Sequence, residues 1–184
     1  KLLTILLTAT IVATMGACGS EAGTDTKNAT EAEETTADSE TDEKTIGAVY
    51  WSLNNNFMVF LKENIEAEAE TLGYNTIAMD SGSNTETELN NVEDLISKGV
   101  DAVIMVPMDS DASSNAVKLL NDAGIPVITV DRSTNEGEVV TSLATNNYAG
   151  GQKAGEFAVE KLGGKGKVAI LRGTLGTDLE TERY

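Results

Sequence analysis

From residue 46 onward the chain alternates short apolar runs with longer amphipathic ones. Residues 46–51 form an apolar run bounded by polar residues 52–56, which predicts a strand. Phe57, Leu61, Ile65, Ala69 and Leu72 then recur at helical spacing, and Gly73 closes that helix. Residues 74–79 predict a second strand ending at Asp80. Thr85-x-x-Glu88 reads as a capping box, opening a helix with Leu89, Val92, Leu95 and Ile96 turned inward until Gly99 stops it. Residues 101–106 predict a third strand, ended by Pro107, and 112–123 a third helix, ended by Gly124. The fourth strand, 125–130, runs into Asp131-Arg132.

Short strands of near-continuous apolar character are buried on both faces. Alternating with helices, they predict an α/β fold, a doubly wound parallel sheet with right-handed connections. Beyond Arg132 the pattern predicts a short strand near 139–143 and a helix capped by Asn146 or Asn147 that runs to about Leu162. A strand at 167–171 and the opening of a helix at 178–184 follow. Residues 46–144 thus read as a complete domain. Residues 145–184 read as a crossing into a second α/β domain that is only begun, in a chain cut short, with 147–184 loosely packed for want of partners.

The N-terminal third has a different texture. The run after Lys1 has the length of a signal-peptide core and is short of the roughly 20 residues of a membrane span. It ends at Met15-Gly16-Ala17-Cys18, small residues before a lone cysteine, like a bacterial lipobox with Cys18 as the lipidation site. An ordinary signal peptide with an incidental cysteine is the alternative. No initiator Met is present, so the true start is expected upstream. Residues 18–45 carry nine acids and two bases, and from Gly19 to Thr45 there is no Val, Ile, Leu, Phe, Trp or Tyr. Such a segment cannot bury enough apolar surface to offset its ordering entropy. The expected organisation is a signal peptide at 1–17 and a disordered acidic tether at 18–45.

Composition narrows the chemistry. With no His and a single Cys, the chain has no Ser-His-Asp triad, Cys-His pair, His- or Cys-based zinc site or internal disulfide. A net charge of −17 argues against nucleic acid and against a polybasic grip on anionic lipid. Lys165-Gly166-Lys167 precedes a strand instead of following one, so it is not a phosphate loop. Asp109-x-Asp111 lacks the length and glycine of a calcium loop, and Asp80, Asp109 and Asp111 read as caps and turn residues. No metal or cofactor is expected.

Open parallel sheets bind ligands beyond the carboxyl ends of their strands. That rule selects 51–57, 80–84, 107–111 and 131–132. Trp51, Asn55 and Phe57 place aromatic surface and an amide in one loop, in a chain with only eight aromatic residues. Asp131-Arg132 sets acceptors beside a five-donor fork. A polyhydroxylated ring needs both, because its C–H faces stack and its hydroxyls donate and accept. Phe57 fits a core position equally well, and Asp131-Arg132 fits a local ion pair.

Several stretches are similar to the periplasmic sugar-binding proteins of ABC importers, most closely to the ribose-binding members of the type I periplasmic binding fold. They are Leu53-Asn54-Asn55-Asn56-Phe57, Leu72-Gly73-Tyr74-Asn75, Asp109-Ser110-Asp111-Ala112, the run 125–132 ending in Asp131-Arg132, and Gly137-Glu138-Val139-Val140. Asn147 with Gly150-Gly151, Gly173-x-x-Gly176-Thr177 and Glu182-Arg183 complete the set. The resemblance implies two α/β domains joined by a hinge, closing on a monosaccharide and docking on membrane permease subunits as a monomer. It implies that Asn55, Asp131, Arg132 and Arg183 bond sugar hydroxyls or the ring oxygen and that Phe57 stacks. Three positions depart from it. Trp51 stands in place of a small polar residue, Met58 in place of a second stacking aromatic, and Val106 in place of an amide. One unpaired hydroxyl in a dry cleft costs about 1–3 kcal/mol. Trp51 and Met58 are therefore expected to reshape the pocket, with Trp51 supplying the stacking surface missing at Met58.

The resemblance leaves a chemoreceptor or sensor kinase open as the partner in place of a permease. A sugar-responsive repressor needs a basic helix-turn-helix before residue 46, where an export signal and an acidic run stand. A nucleotide- or flavin-dependent enzyme needs a glycine-rich first loop, where Ser52-Leu53-Asn54-Asn55-Asn56 stands. The expectation is an exported, lipid-anchored binding protein and not an enzyme.

Overall fold

A computed structural model describes residues 44–184. The expected signal segment, Cys18 and the acidic tether as far as residue 43 lie outside the described residues; Thr45, assigned to the tether, instead opens the first strand, where it pairs with Asn75. Five strands form one parallel sheet in the order β2-β1-β3-β4-β5: β1 (Thr45–Tyr50), β2 (Asn75–Asp80), β3 (Ala102–Val106), β4 (Val127–Val130) and β5 (Thr141–Leu143). The helices are α1 (Asn56–Thr71), α2 (Thr85–Lys98), α3 (Ser114–Asp122), α4 (Asn147–Lys161) and the short α5 (Asp178–Glu182). The chain moves from β1 outward to β2, then crosses back to β3 on the other side of β1. That reversal puts the topological switch between β1 and β3.

The two faces of the sheet are covered unequally. Val49, Val103, Met105 and Val127 pack against Val92 and Leu95 of α2 and Ala116, Val117 and Leu120 of α3 in one core. Ala48, Tyr50 and Val106 on the opposite face pack with Met58 of α1 in a smaller one. Alternation along β1 thus feeds both cores, as a strand buried on both faces must. The outer strands do not share this burial: β2 is only half-buried and β5 is exposed throughout. Gly47 lets α2 approach closely, since a Cβ there would lie 2.7 Å from Leu95 Cδ1.

Helix ends follow local chemistry. Asn55 Oδ1 accepts from the amides of Phe57 and Met58 and caps α1. At its other end the Tyr74 amide reaches back to the Ala69 carbonyl while Gly73 takes a positive φ of 78°, a conformation glycine adopts without strain. Asn146 Oδ1 caps α4 by accepting from Ala149 N–H.

Three expectations need correction. Thr85-x-x-Glu88 is not a capping box. The cap is Asn84, whose Oδ1 accepts from Thr87 N–H, and Glu88 points into the protein with no exposed surface. Glu88 sits one turn before Val92 and so shares its inward face. The inward stripe of α1 is Met58, Leu61, Ile65 and Ala69; Phe57 and Leu72 at the helix ends are exposed. No strand forms at 167–171. An extended segment needs a neighbour to complete its hydrogen bonds, and no strand lies beside it.

Candidate functional site

The strand ends gather four of the residues singled out from the sequence. Asp131 follows β4 in a tight turn in which Arg132 N–H donates to the Val130 carbonyl at 2.7 Å. Its φ is +66°, a left-handed conformation that costs a non-glycine residue energy, less for Asp than for most. The Asp131 amide donates to the Leu143 carbonyl of β5 at 2.8 Å, which holds the strained turn in place.

That turn sends Arg132 back across the end of β3. The guanidinium is 8% exposed and lies 4.7 Å from the centre of the Trp51 ring, so the ends of β1 and β4 meet as a cation–π pair. Nη1 donates to the Met108 carbonyl at 3.0 Å, and Nε faces Asp131 Oδ2 at 3.9 Å. Arg132 Nε and Trp51 Nε1 are both buried without a hydrogen-bond partner. Buried donors are rarely left so, because each forfeits its bond to water. They give this cluster spare donor capacity beside the Asp131 carboxylate.

Burial and neighbouring charge act against each other in this cluster. Burial pushes the Asp131 carboxyl above its ordinary range, opposed by the Arg132 and Arg183 guanidiniums and reinforced by Asp178. Burial pulls Arg132 downward, opposed by Asp131, Asp178 and Glu88. Arg183 lies near enough to Asp131 to influence its charge, and its Nε donates to Asn147 Oδ1 at 2.9 Å. The segment carrying Arg183 is tied to the strand ends. Ser133 N–H donates to Asp178 Oδ2 at 2.9 Å, Asp178 N–H to Ser110 Oγ at 3.0 Å, and Ser110 N–H to the Gly176 carbonyl at 2.9 Å.

Other expected site residues have different placements. Phe57 is not core; its ring is 52% exposed at the start of α1. The carbonyl oxygen of Asn55 is committed to capping α1. Met58 is a correction: it is 1% exposed, in one cluster with Ala48, Tyr50 and Val106. Trp51 packs against that cluster, so Met58 and Val106 support the ring from below and offer no surface of their own. Successive residues of a helix point about 100° apart, which sends Phe57 and Met58 to different environments. Asp80 and Asp109 are turn residues as expected. Asp80 Oδ1 accepts from the amides of Leu53 and Gly82, and Asp109 Oδ1 from those of Asp111 and Ala112. The described residues contain no cluster of metal-ligating side chains.

Sequence reasoning missed Glu88, Met108 and Asp178. Glu88 carried a signal: its spacing to Val92 and Leu95 is that of an apolar stripe. Met108 acts through its backbone, which no side-chain pattern reveals.

Residues 46–184 match the family model described as periplasmic binding protein domain. The chain is 46% identical over 139 residues to the ribose import binding protein of Escherichia coli strain K12, covering 76% of this chain and 47% of that relative. It is 44% identical over 141 residues to the ribose import binding protein of Bacillus subtilis strain 168, covering 77% and 46%. Among solved structures, an ABC sugar transporter subunit from Rhodobacter sphaeroides superposes with a TM-score of 0.71 at 32% identity, covering 77% of this chain and 49% of that one. The chain spans about half the length of the curated relatives it matches. Its sheet order and these relatives agree, and residues 46–184 belong to the periplasmic binding protein domain family, type I fold.

Proposed function

We propose that this chain is part of an extracytoplasmic substrate-binding lipoprotein that captures a monosaccharide, ribose or a related sugar or polyol, and delivers it to an ABC permease. The observation that carries the reading is the strand-end cluster. Asp131, Arg132 and Trp51 meet at the switch between β1 and β3, with two buried donors unpartnered and a carboxylate beside them. A vicinal diol presents oxygens that both donate and accept, so it satisfies Arg132 and Asp131 together. Arg183 adds a second guanidinium, Phe57 an exposed ring, Asn55 its amide, and Trp51 supported by Met58 an aromatic wall. The names of the relatives, which are ribose import binding proteins, favour a sugar and an importer.

The working cycle follows from the chemistry. Sugar enters an open cleft, its hydroxyls replace water on the charged side chains, and a second α/β domain begun within 145–184 closes over it. In this reading 46–144 is the first sugar-binding domain. Cys18 carries the lipid anchor, and 18–45 is the tether that keeps the domain near the outer face of the membrane.

A thermal-shift panel of pentoses, hexoses and inositols at millimolar concentration tests the reading. A sugar at about 1,000 times its dissociation constant stabilises the protein by about 4 kcal/mol, several degrees of Tm. Arg132→Ala removes that shift. Silence across the panel overturns the sugar reading. A shift confined to sugars other than ribose assigns the departures at Trp51, Met58 and Val106 to specificity. Cys18→Ala releases the protein from the membrane fraction if the anchor is real.

A further inference from the structure

Glu88 is a carboxylate in a place that calls for leucine. It lies on the inward face of α2 with Val92 and Leu95 and has no exposed surface. A buried carboxylate is expensive unless it is used. Oε2 accepts from the Met108 amide at 2.8 Å, and the Ser113 hydroxyl also lies close enough to favour the ionised carboxyl. Oε1 is buried without a partner.

The Met108 peptide is engaged at both ends. Its N–H is held by Glu88, and its carbonyl accepts from Arg132 Nη1 at 3.0 Å. Arg132 in turn lies 4.7 Å from the Trp51 ring centre. The links run without a gap from a helix on one face of the sheet, through a single peptide after β3, to a guanidinium after β4 and a ring after β1. Donor and acceptor ends of a peptide polarise one another, so an acceptor at the N–H strengthens the carbonyl as an acceptor.

We infer that Glu88 is a positioning residue for the strand-end site, holding the Met108 peptide so that its carbonyl fixes Arg132 against Trp51. The consequence for binding rests on the sugar reading above; the positioning itself does not. Met108 follows Pro107, which lacks an N–H, so the Met108 amide is the first donor available after β3. Ser110 and Asp109 tie down the far part of the loop between β3 and α3, so without the Glu88 acceptor it is the Met108 peptide, and the carbonyl that Arg132 uses, that loses its fixed depth.

Trp51 is the only tryptophan in the chain, so its fluorescence reports on this site with no ligand present. Acrylamide quenching is measured on the ligand-free 184-residue chain and on Arg132→Leu, Glu88→Gln and Glu88→Asp. Arg132→Leu uncovers the ring and raises the quenching constant about twofold. Glu88→Gln keeps an acceptor oxygen at the same reach and stays near wild type. Glu88→Asp keeps the carboxyl group but withdraws the oxygen, and moves most of the way to the Arg132→Leu value. Wild-type quenching in Glu88→Asp overturns the inference, and so does a full shift in Glu88→Gln. Amide hydrogen exchange of the unaltered protein needs no variant: Met108 exchanges as slowly as the amides of β3, and fast exchange there overturns the inference even if Glu88→Asp fails to fold. A protein that binds no sugar yet shows this quenching pattern separates the two readings, because it overturns the sugar and leaves the positioning intact.

Discussion

Leu95 and Leu171 both sit in apolar stretches that predict regular structure, yet Leu95 is fully buried and Leu171 is 96% exposed. The contrast extends to their regions. Around Leu95, β1 and β3 have strand neighbours on both sides and α2 and α3 above them. Around Leu171, Val168 and Ile170 are exposed, and α4 presents Tyr148, Phe157 and Val159 to solvent. An apolar groove of about 770 Å³ opens between α4 and residues 168–170, lined by Gly150, Ala154, Ala158, Val168 and Ile170. Hydrophobic pattern is therefore a capacity for burial. Realising it takes a second surface at the right distance, which 45–143 finds within itself and 147–184 does not.

The largest expected effect is in hydrogen exchange. Amides of β1 and β3 open only with the whole domain, on the order of a thousandfold or more slower than those of 167–171. Equal protection in the two regions would break the comparison. Truncation sharpens it: Leu95→Ala lowers the stability read by urea unfolding by about 2–5 kcal/mol, whereas Leu171→Ala stays within about 0.5 kcal/mol. Overpacking acts in the same core. Gly47→Ala drives a methyl to within 2.7 Å of Leu95 and costs about 1–3 kcal/mol, again by urea unfolding.

The link between the regions gives a smaller signal. Asp178→Ala removes the acceptor for Ser133 N–H and costs about 1 kcal/mol; faster exchange of the Ser133 amide is the direct readout. The smallest effect is in pH. Burial raises Glu88 and Asp131 in the folded state, so the folded protein holds these protons more tightly than the unfolded chain. Their ionisation therefore lowers stability as pH rises from the ordinary glutamate value of about 4.3 through the raised values. Glu88→Gln removes its share, and above about pH 4.3 the urea midpoint falls less steeply in that variant. An unchanged slope would show that Glu88 does not ionise in this window.

Much of the first region was legible from the sequence. Apolar runs of strand length, helical stripes and their glycine stops located β1 to β4 and α1 to α4 to within a few residues. Trp51, Asp131 and Arg132 were legible as candidates because strand ends in parallel sheets carry ligands; Arg183 was named only through the family resemblance. Met58 was not legible as support, since one position along a helix decides between cleft and core. Glu88 looked like a capping residue, because Thr85-x-x-Glu88 satisfies the spacing of a box that Asn84 in fact supplies.

By itself, the sequence determined the α/β alternation, the glycine stops that end the first three helices, and an acidic charge that argues against nucleic acid. These depend on neighbours within about four positions, or on composition. The tertiary structure alone decided that Arg132 crosses β3 to reach Trp51, that Glu88 serves the Met108 peptide, and that 167–171 forms no strand. Each of those depends on a partner distant in the chain, and a side chain's role is settled only when the fold has chosen what lies opposite it.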